Sequence, residues 1–253
     1  GSKLIGGYGV GTEKVEQEVH RLFPEARTLR MDRDTTSKKN SHEQILESFG
    51  RGDADILIGT QMIVKGHDFS RVTLVGVLLA DLTLFSGDYR AGERTFDLLT
   101  QAAGRAGRGD VPGKVVIQTY KPDNYAITAA ASQDYRAFYD IEEAYRSLMR
   151  YPPEWNMMVI MGTGMDEEQL ANIMDRMYSL IRGKYINAGH LSVIGPSEPA
   201  ISKIKDVYRR VLYIKHRDYR MLVDVKDYVE EWLKENGEND VSVFFDLNPV
   251  NMY

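Results

Sequence analysis

The chain contains 253 residues, enough for two ordinary domains, and its 43% hydrophobic and 27% charged residues are typical of a soluble globular protein. No apolar run approaches the roughly 18 residues of a membrane helix, no signal peptide opens the sequence, and the lack of cysteine excludes disulfides and thiolate metal sites. We therefore expect a cytoplasmic protein without membrane contact and assign no metal ligand. The net charge of −5 does not itself indicate nucleic-acid binding, so the distribution of basic residues matters more.

A glycine-rich start leads into a first amphipathic helix. Val15, Val19 and Leu22 recur at helical spacing, and Thr12 is placed to begin the helix. A helix N-terminus with free N–H groups and a hydroxyl suits a DNA phosphate. Gly11 and Thr12 are therefore candidate DNA-binding residues, and the alternative is a plain N-cap.

Short apolar segments then alternate with helical segments up to about residue 125. All but the first of these segments are largely apolar without alternation, which is typical of parallel strands covered on both faces. The predicted strands cover residues 26–31, 55–60, 72–80 and 114–120. Residues 1–125 are thus predicted to form an α/β domain.

A helical segment and a second domain follow. Residues 126–153 have a helical pattern rich in aromatic residues, which predicts a packed linker rather than base-stacking side chains. Residues 154–253 predict a smaller α+β domain of ferredoxin-like character, with helices on one face of a sheet. Its predicted strands cover residues 156–162, 191–194, 207–216 and 241–247, and its helices residues 166–182 and 219–234.

A polar loop follows the second predicted strand. The hydroxyl and N–H of Thr60 can hold a DNA phosphate, and Gln61 follows as a second candidate. Lys65 and Gly66 allow an anion to approach closely, and Asp68 can accept a hydrogen bond from a ribose. The alternatives are a solvated lysine and a carboxylate that caps a helix.

Residues 101–109 read QAAGRAGRG. On a helix, the spacing of Arg105 and Arg108 would place both guanidinium groups on one face, and the glycines would let a phosphate approach the backbone. Guanidinium groups bind phosphate oxygens in a bidentate manner, so the pair suits a nucleotide's terminal phosphate. The alternative is a helix end with glycine breakers and solvated arginines.

Basic residues are concentrated between residues 196 and 220. This local excess predicts a surface for the DNA backbone, and the alternative is a solvated strand and hairpin. The candidate DNA-binding residues here are Lys203, Lys205, Arg209, Arg210, Lys215 and Arg217.

Residues 56–69 and 101–109 together resemble motifs V and VI of superfamily 2 helicases. Residues 72–81 and 90–101 narrow the resemblance to the primosomal replication-restart helicases, the PriA family, over residues 9–253. The resemblance implies a RecA-like parallel-sheet lobe followed by the C-terminal domain of an ATP-dependent 3′-to-5′ DNA helicase of replication restart.

The same resemblance implies roles for single residues. Arg105 and Arg108 would contact the γ-phosphate of ATP, one of them as an arginine finger, and Gln101 would orient them. Gly66 and Asp68 would face the nucleotide. The implied cofactors are ATP and Mg²⁺, and the implied partners are forked or single-stranded DNA, single-strand binding protein and other primosome proteins.

Part of an ATP site has no counterpart in the sequence. It contains no Gly-x-x-x-x-Gly-Lys-Ser/Thr segment, and the Gly113-Lys114-Val115 stretch lacks the hydroxyl that would hold Mg²⁺. The family also carries paired zinc-binding cysteines just before the segment that this chain resembles. We therefore expect the C-terminal part of a longer helicase, which needs a further lobe for ATP and is inactive as an ATPase alone.

Two alternatives remain open. One is another superfamily 2 DNA translocase, which the presence or absence of paired cysteines upstream would distinguish. The other is a DNA-binding adaptor without a motor, against which the intact Gln-x-x-Gly-Arg-x-Gly-Arg pattern argues, because an adaptor has no use for arginines that bind a γ-phosphate.

Overall fold

A computed structural model describes residues 11–36, 40–64, 69–107, 112–185, 187, 189–238 and 240–252. The chain divides into two compact units, Gly1–Leu84 with Glu93–Tyr135 and Phe85–Gly92 with Arg136–Tyr253. Residues 126–153, predicted as a linker, are therefore shared between the two units.

The first unit contains two pairs of parallel strands. β1 (Thr28–Met31) pairs with β2 (Ile56–Gly59), and β3 (Leu74–Val77) pairs with β4 (Lys114–Ile117). The predicted α/β class is confirmed, but burial on both faces is wrong for β3. Leu74 is 61% exposed, because successive side chains point to opposite faces and only one face of this strand is partly covered.

The first unit also contains short helices with glycine or asparagine at several of their ends. α2 ends where Gly52 adopts a left-handed conformation with φ of 88°, and the Asn124 side chain caps α5 by accepting a hydrogen bond from the Ala126 N–H at 2.9 Å. The helices are α1 (Thr12–Leu22), α2 (Ser41–Arg51), α3 (Asp81–Leu84), α4 (Ala91–Ala103) and α5 (Tyr125–Ser132). The first two residues of α4 belong to the second unit.

The second unit is an antiparallel sheet with helices. Its strands lie in the order β6-β8-β5-β9, and β7 pairs with β8. In chain order its elements are α6 (Tyr135–Leu148), β5 (Asn156–Gly164), α7 (Glu167–Tyr185), β6 (Ser192–Ser197), β7 (Lys203–Ile204), β8 (Val207–His216), α8 (Tyr219–Asn236) and β9 (Val241–Leu247).

The main core of this unit lies between one sheet face and α7 and α8. Met158 and Ile160 of β5 and Leu212 and Ile214 of β8 are fully buried against the apolar sides of the two helices. Because side chains alternate, Val159 and the other odd-numbered residues of β5 face the opposite side, where they form a smaller cluster with residues of β8. The predicted arrangement with helices on one sheet face is confirmed.

Candidate nucleotide and nucleic-acid sites

The carboxyl ends of β1 and β2 meet at one edge of the first unit. The parallel register pairs Met31 with Gly59, so Asp32 and Thr60 follow side by side along this edge. A Cβ on Gly59 would lie 2.5 Å from the Met31 carbonyl oxygen, so glycine is required for the close approach of the strands. Thr60 and Gln61 are exposed there, which leaves their side chains accessible to a ligand.

Thr12 is not the N-cap that the sequence predicted. Gly11 occupies the cap position, and Thr12 is the first residue of α1. The Thr12 hydroxyl donates to Asp32 Oδ2 at 2.6 Å, and this bond, followed by the backbone N–H of Thr35, lowers the pKa of Asp32 to about 2. The hydroxyl is therefore engaged with an ionised carboxylate, which corrects its assignment as a phosphate donor.

Gln101 and Arg105 lie at the end of α4. Gln101 is exposed in the last turn of the helix, and the half-buried Arg105 follows in a turn, because α4 ends at Ala103. Arg105 therefore lies outside the helix that a shared face for the two arginines would need, while Arg108 lies outside the described residues. Gly104 ends the run of good helix formers, and Gly107, with φ of 76°, leaves helical geometry altogether.

The glycines after α4 have a packing role. The Gly107 N–H donates to the Val72 carbonyl oxygen at 3.0 Å, which ties this turn to the amino end of β3. A Cβ on Gly107 would lie 2.4 Å from the backbone nitrogen of Gly113. The absence of a side chain at Gly107 is thus needed for backbone contact within the chain, whether or not a phosphate also approaches.

Several predicted site residues lie outside the part of the chain that the structure describes. These residues are Lys65, Gly66, Asp68 and Arg108. Their proposed roles stay predictions.

The predicted basic surface of the second unit is divided among different environments. Arg209 and Arg210 follow each other along β8 and so point to opposite faces of the sheet. Arg209 donates to the Ile201 carbonyl oxygen at 3.1 Å, whereas the Arg210 guanidinium lies 4.0 Å from Glu167 Oε1. One continuous cationic stripe along this strand is therefore excluded.

The hairpin that joins β7 to β8 carries two exposed lysines. Lys203 Nζ lies 3.2 Å from Asp206 Oδ1 and donates to the Tyr208 hydroxyl at 3.3 Å, while Lys205 stands in the turn. A cavity of about 230 Å³ lies next to the hairpin, and two acidic side chains share its wall with the basic ones. Its lining residues are Glu167, Glu198, Ser202, Lys203, Tyr208, Arg209 and Arg210.

Lys215 is buried, which corrects its place on an exposed DNA surface. Its side chain is covered by the chain just after α6, where Nζ donates to the Met149 carbonyl oxygen at 3.1 Å and lies 3.5 Å from the centre of the Tyr151 ring. Burial, with a contribution from the Arg150 charge, lowers the pKa of Lys215 to about 8. A phosphate cannot reach this ammonium group without displacing Tyr151.

Arg217 is exposed and lies over the indole ring of Trp155. The centre of that ring is 5.3 Å from Cζ of Arg217 and 5.0 Å from Cζ of Arg150. Sequence reasoning missed Arg150 and Trp155. The antiparallel pairing of Asn156 with His216 places residue 155 opposite residue 217, so a correct strand register would have found the contact.

Cation and membrane sites were also sought in the described residues. Within them no group of three or more His, Asp or Glu side chains is arranged to hold a metal ion. The helices in this part of the chain are all too short or too polar to cross a membrane.

Comparisons with known proteins agree with this division into two parts. Residues 11–110 match the helicase conserved C-terminal domain, and residues 147–250 match the primosomal protein N C-terminal domain. The helicase model therefore matches the first half of the chain, and the primosomal model matches the second half.

Curated relatives match nearly the whole chain. The replication restart protein PriA of Bacillus subtilis is 42% identical over 253 residues, which cover 99% of this chain and 31% of that protein. The proteins of the same name from Synechocystis and Haemophilus influenzae are each 35% identical, over 97% and 100% of this chain and 29% and 34% of their own lengths. The chain thus spans about a third of the length of these relatives, and it is similar to these PriA replication restart proteins over nearly its whole length.

Proposed function

We propose that this chain forms the C-terminal part of an ATP-dependent 3′-to-5′ DNA helicase that acts in replication restart and primosome assembly in the cytoplasm. The observation that carries this proposal is the order of the two family matches, a helicase domain followed by a primosomal domain, along a chain with PriA relatives. Because the chain spans about a third of those relatives, the activity would belong to a longer protein.

The fold supports a finer assignment of both units. Parallel strand pairs connected through helices are what a RecA-like lobe requires. In the second unit the order β5-α7-β6-β8-α8-β9, with sheet order β6-β8-β5-β9, supports the ferredoxin-like class.

We assign Gln101, Arg105 and Arg108 to the γ-phosphate of ATP, with Gly66 and Asp68 also facing the nucleotide. Arg105 follows α4 in a turn, so a short main-chain movement can bring its fork to a phosphate. The fit is partial, because the described residues include no carboxylate cluster for Mg²⁺. Bound ATP would supply the phosphoryl group, and these residues would neutralise and orient it.

We assign DNA contacts to both units, because the relatives are named as replication restart proteins. The exposed Thr60 and Gln61 and the backbone N–H groups that follow Gly11 suit phosphate oxygens, and Lys65 lies in the same loop of the sequence. In the second unit Lys203, Lys205, Arg209, Arg210 and Arg217 remain candidates. Single-strand binding protein and other primosome proteins would be further partners.

DNA-stimulated ATP hydrolysis by the longer protein tests the arginine assignment. We expect Arg108→Ala and Arg105→Lys to lower stimulated turnover by ~10³-fold or more while DNA affinity stays unchanged, because an arginine finger acts on charge in the transition state. The control is Arg51→Ala, since Arg51 is exposed and, within the described part of the chain, forms its ion pair with Asp53 at 2.9 Å. Unchanged turnover in both test variants would remove these arginines from ATP chemistry.

The isolated 253-residue chain provides a second test. We expect negligible ATP hydrolysis with or without DNA, because the sequence has no segment to cradle the β- and γ-phosphates. Sustained turnover by the pure chain, abolished by Arg108→Ala, would contradict the need for a further lobe.

A further inference from the structure

Trp155 occupies a junction in the second unit between the turn after α6 and the first residue of β5. The backbone folds back there, with the Trp155 N–H donating to the Tyr151 carbonyl oxygen at 3.3 Å. The Trp155 residue is only 5% exposed, and its indole N–H is buried without an acceptor among the residues that the structure describes. The ring is therefore held through its faces rather than through a hydrogen bond.

Two exposed arginines lie over this ring. Arg150 comes from the turn after α6, and Arg217 from the end of β8, where the Asn156 side chain donates to its carbonyl oxygen at 2.7 Å. Tryptophan is the best aromatic partner for a cation. Stacking on the ring limits the motion of a guanidinium group and leaves its N–H groups, which point past the edge of the indole, available for hydrogen bonds.

The two guanidinium groups lack a counter-ion in the described chain. No carboxylate of those residues lies within ion-pair distance of Arg150 or Arg217. The adjacent Asp218 accepts a hydrogen bond from the Arg220 N–H at 2.9 Å as the cap of α8, and Glu154 is the other nearby acid in the sequence. The charge of Arg150 also acts on the buried ammonium of Lys215, so a third cation adds to the positive charge at this place.

A second tryptophan offers a comparison within the same unit. Arg176 lies over Trp232 with its Cζ 4.9 Å from the ring centre, but it also donates to Asn236 Oδ1 at 3.2 Å. That pair has one cation with a hydrogen-bond partner, whereas Trp155 has two cations, and no acceptor for either guanidinium lies among the described residues. The Trp232 pair therefore serves as a control for stacking of a single arginine that is already hydrogen-bonded.

We propose that Arg150, Trp155 and Arg217 form a clamp that binds one backbone phosphate of a nucleic-acid strand. A guanidinium group can donate two parallel hydrogen bonds to phosphate oxygens, and the Trp155 ring holds the guanidinium groups of Arg150 and Arg217 close to each other. The site is open, since Arg150 and Arg217 are both exposed. An open site suits a polymer held at several points better than a free nucleotide. The proposal rests on the DNA binding proposed above.

Tryptophan emission measures binding at this clamp directly. The sequence has two tryptophans, so the Trp232→Phe chain reports Trp155 alone and the Trp155→Phe chain reports Trp232 alone. We expect a single-stranded oligonucleotide to change Trp155 emission at low salt, because a phosphate shifts the stacked arginines. Trp232 emission should stay constant.

Charge variants test the clamp without disturbing the core. In the Trp232→Phe background, we expect Arg150→Gln with Arg217→Gln to weaken oligonucleotide binding about tenfold at low salt. The slope of log affinity against log salt should fall by about 0.7, the value for one single-strand phosphate. Arg176→Gln is the matched control and should change neither quantity.

The outcomes separate the two proposals. If the chain binds the oligonucleotide but the double variant binds equally well, or Trp155 emission does not respond, the clamp is overturned and DNA binding stands. If the chain does not bind the oligonucleotide at low salt, the proposed DNA binding of this chain fails and the clamp with it. An equal response to a mononucleotide at the same phosphate concentration would overturn the assignment to a nucleic-acid strand.

Discussion

The two units of this chain are stabilised in different ways. The second unit has strands of nine and ten residues, β5 and β8, whose central helix-facing side chains, Met158, Ile160, Leu212 and Ile214, are fully buried against α7 and α8. The first unit has strands of four residues each in two separate pairs, and most of their side chains are only partly buried. Apolar burial scales with strand length, so the second unit has much the larger continuous core.

In the first unit, polar contacts at the strand ends compensate for the smaller apolar core. Asp81, which is 3% exposed, accepts from the Thr119 hydroxyl at 2.8 Å and the Tyr120 N–H at 2.9 Å beyond the ends of β3 and β4. Asp32 joins the start of α1 to the end of β1 in the same manner. The first unit therefore holds its loops through ionised carboxylates at strand ends, near the candidate residues Thr60 and Gln61, while the second unit depends on its core.

The largest expected effect is loss of the second unit's core. We expect Leu212→Ala to lower the free energy of unfolding by about 2–5 kcal/mol, because a fully buried leucine leaves a cavity. Urea unfolding followed by tryptophan emission measures this unit alone, since Trp155 and Trp232 both lie in it. Leu148→Ala is the matched change at a leucine of the same unit that is 80% exposed, and an equal loss there would contradict the importance of the core.

Acid should destabilise the first unit through Asp32. Its pKa is about 2 in the folded state against an ordinary 3.8, so the stabilisation is complete above about pH 4 and lost as the pH falls toward about 2. We expect Asp32→Asn to lower stability at neutral pH by about 2 kcal/mol and to flatten this acid transition. Circular dichroism, with tryptophan emission as the reference for the second unit, measures the effect.

The Thr12→Val variant is a second test of the acid transition attributed to Asp32. It removes the first cause of the lowered Asp32 pKa while keeping the shape of the side chain, so the acid midpoint should move upward. An acid transition identical in all three proteins would show that Asp32 does not stabilise the first unit.

Alkali should act on the second unit through Lys215, with a smaller effect. Its pKa is about 8 in the folded state against an ordinary 10.5, so in this window the unfolded chain binds a proton that the folded chain does not. Stability should therefore rise by about 1 kcal/mol as the pH increases from about 8 to about 9.5. Lys215→Met should lack this rise in urea unfolding, and an equal rise in both proteins would contradict the burial of the ammonium group.

The pH range used for this test must end below the pKa of two neighbouring tyrosines. Burial raises the pKa of Tyr151 and Tyr213 above the ordinary 10, which makes stability fall again at higher pH.

Periodicity predicted many of the elements. The strands at 207–216 and 241–247 were placed at the observed ends, because their apolar residues alternate between polar breaks. The single turn α3 and the two-residue β7 were missed, since elements this short have no period to detect. The helical segment after residue 123 was predicted as one piece, whereas Gln133, with φ of 55°, divides it into two helices.

The candidate site was predicted in composition but not in geometry. Residue types at Thr60, Gln101 and Arg105 follow from motif spacing, and the structure places Thr60 at a strand end and the other two at a helix end. Spacing did not reveal that α4 ends before Arg105 or that the Thr12 hydroxyl is engaged with Asp32. Both depend on contacts between segments far apart in the chain.

Sequence patterns alone predicted the resemblance to replication restart helicases, the two-part organisation and the types of residue available for phosphate and DNA. These follow from local patterns, namely apolar periodicity, glycine positions and motif order. Only the tertiary structure decided which basic side chains face solvent. Alternation along β8 placed Lys215 and Arg217 on the same face, yet Tyr151 buries the first, while Trp155 holds the second at the surface. The physical reason is that burial depends on which distant segment covers a face, and strand periodicity carries no information about that.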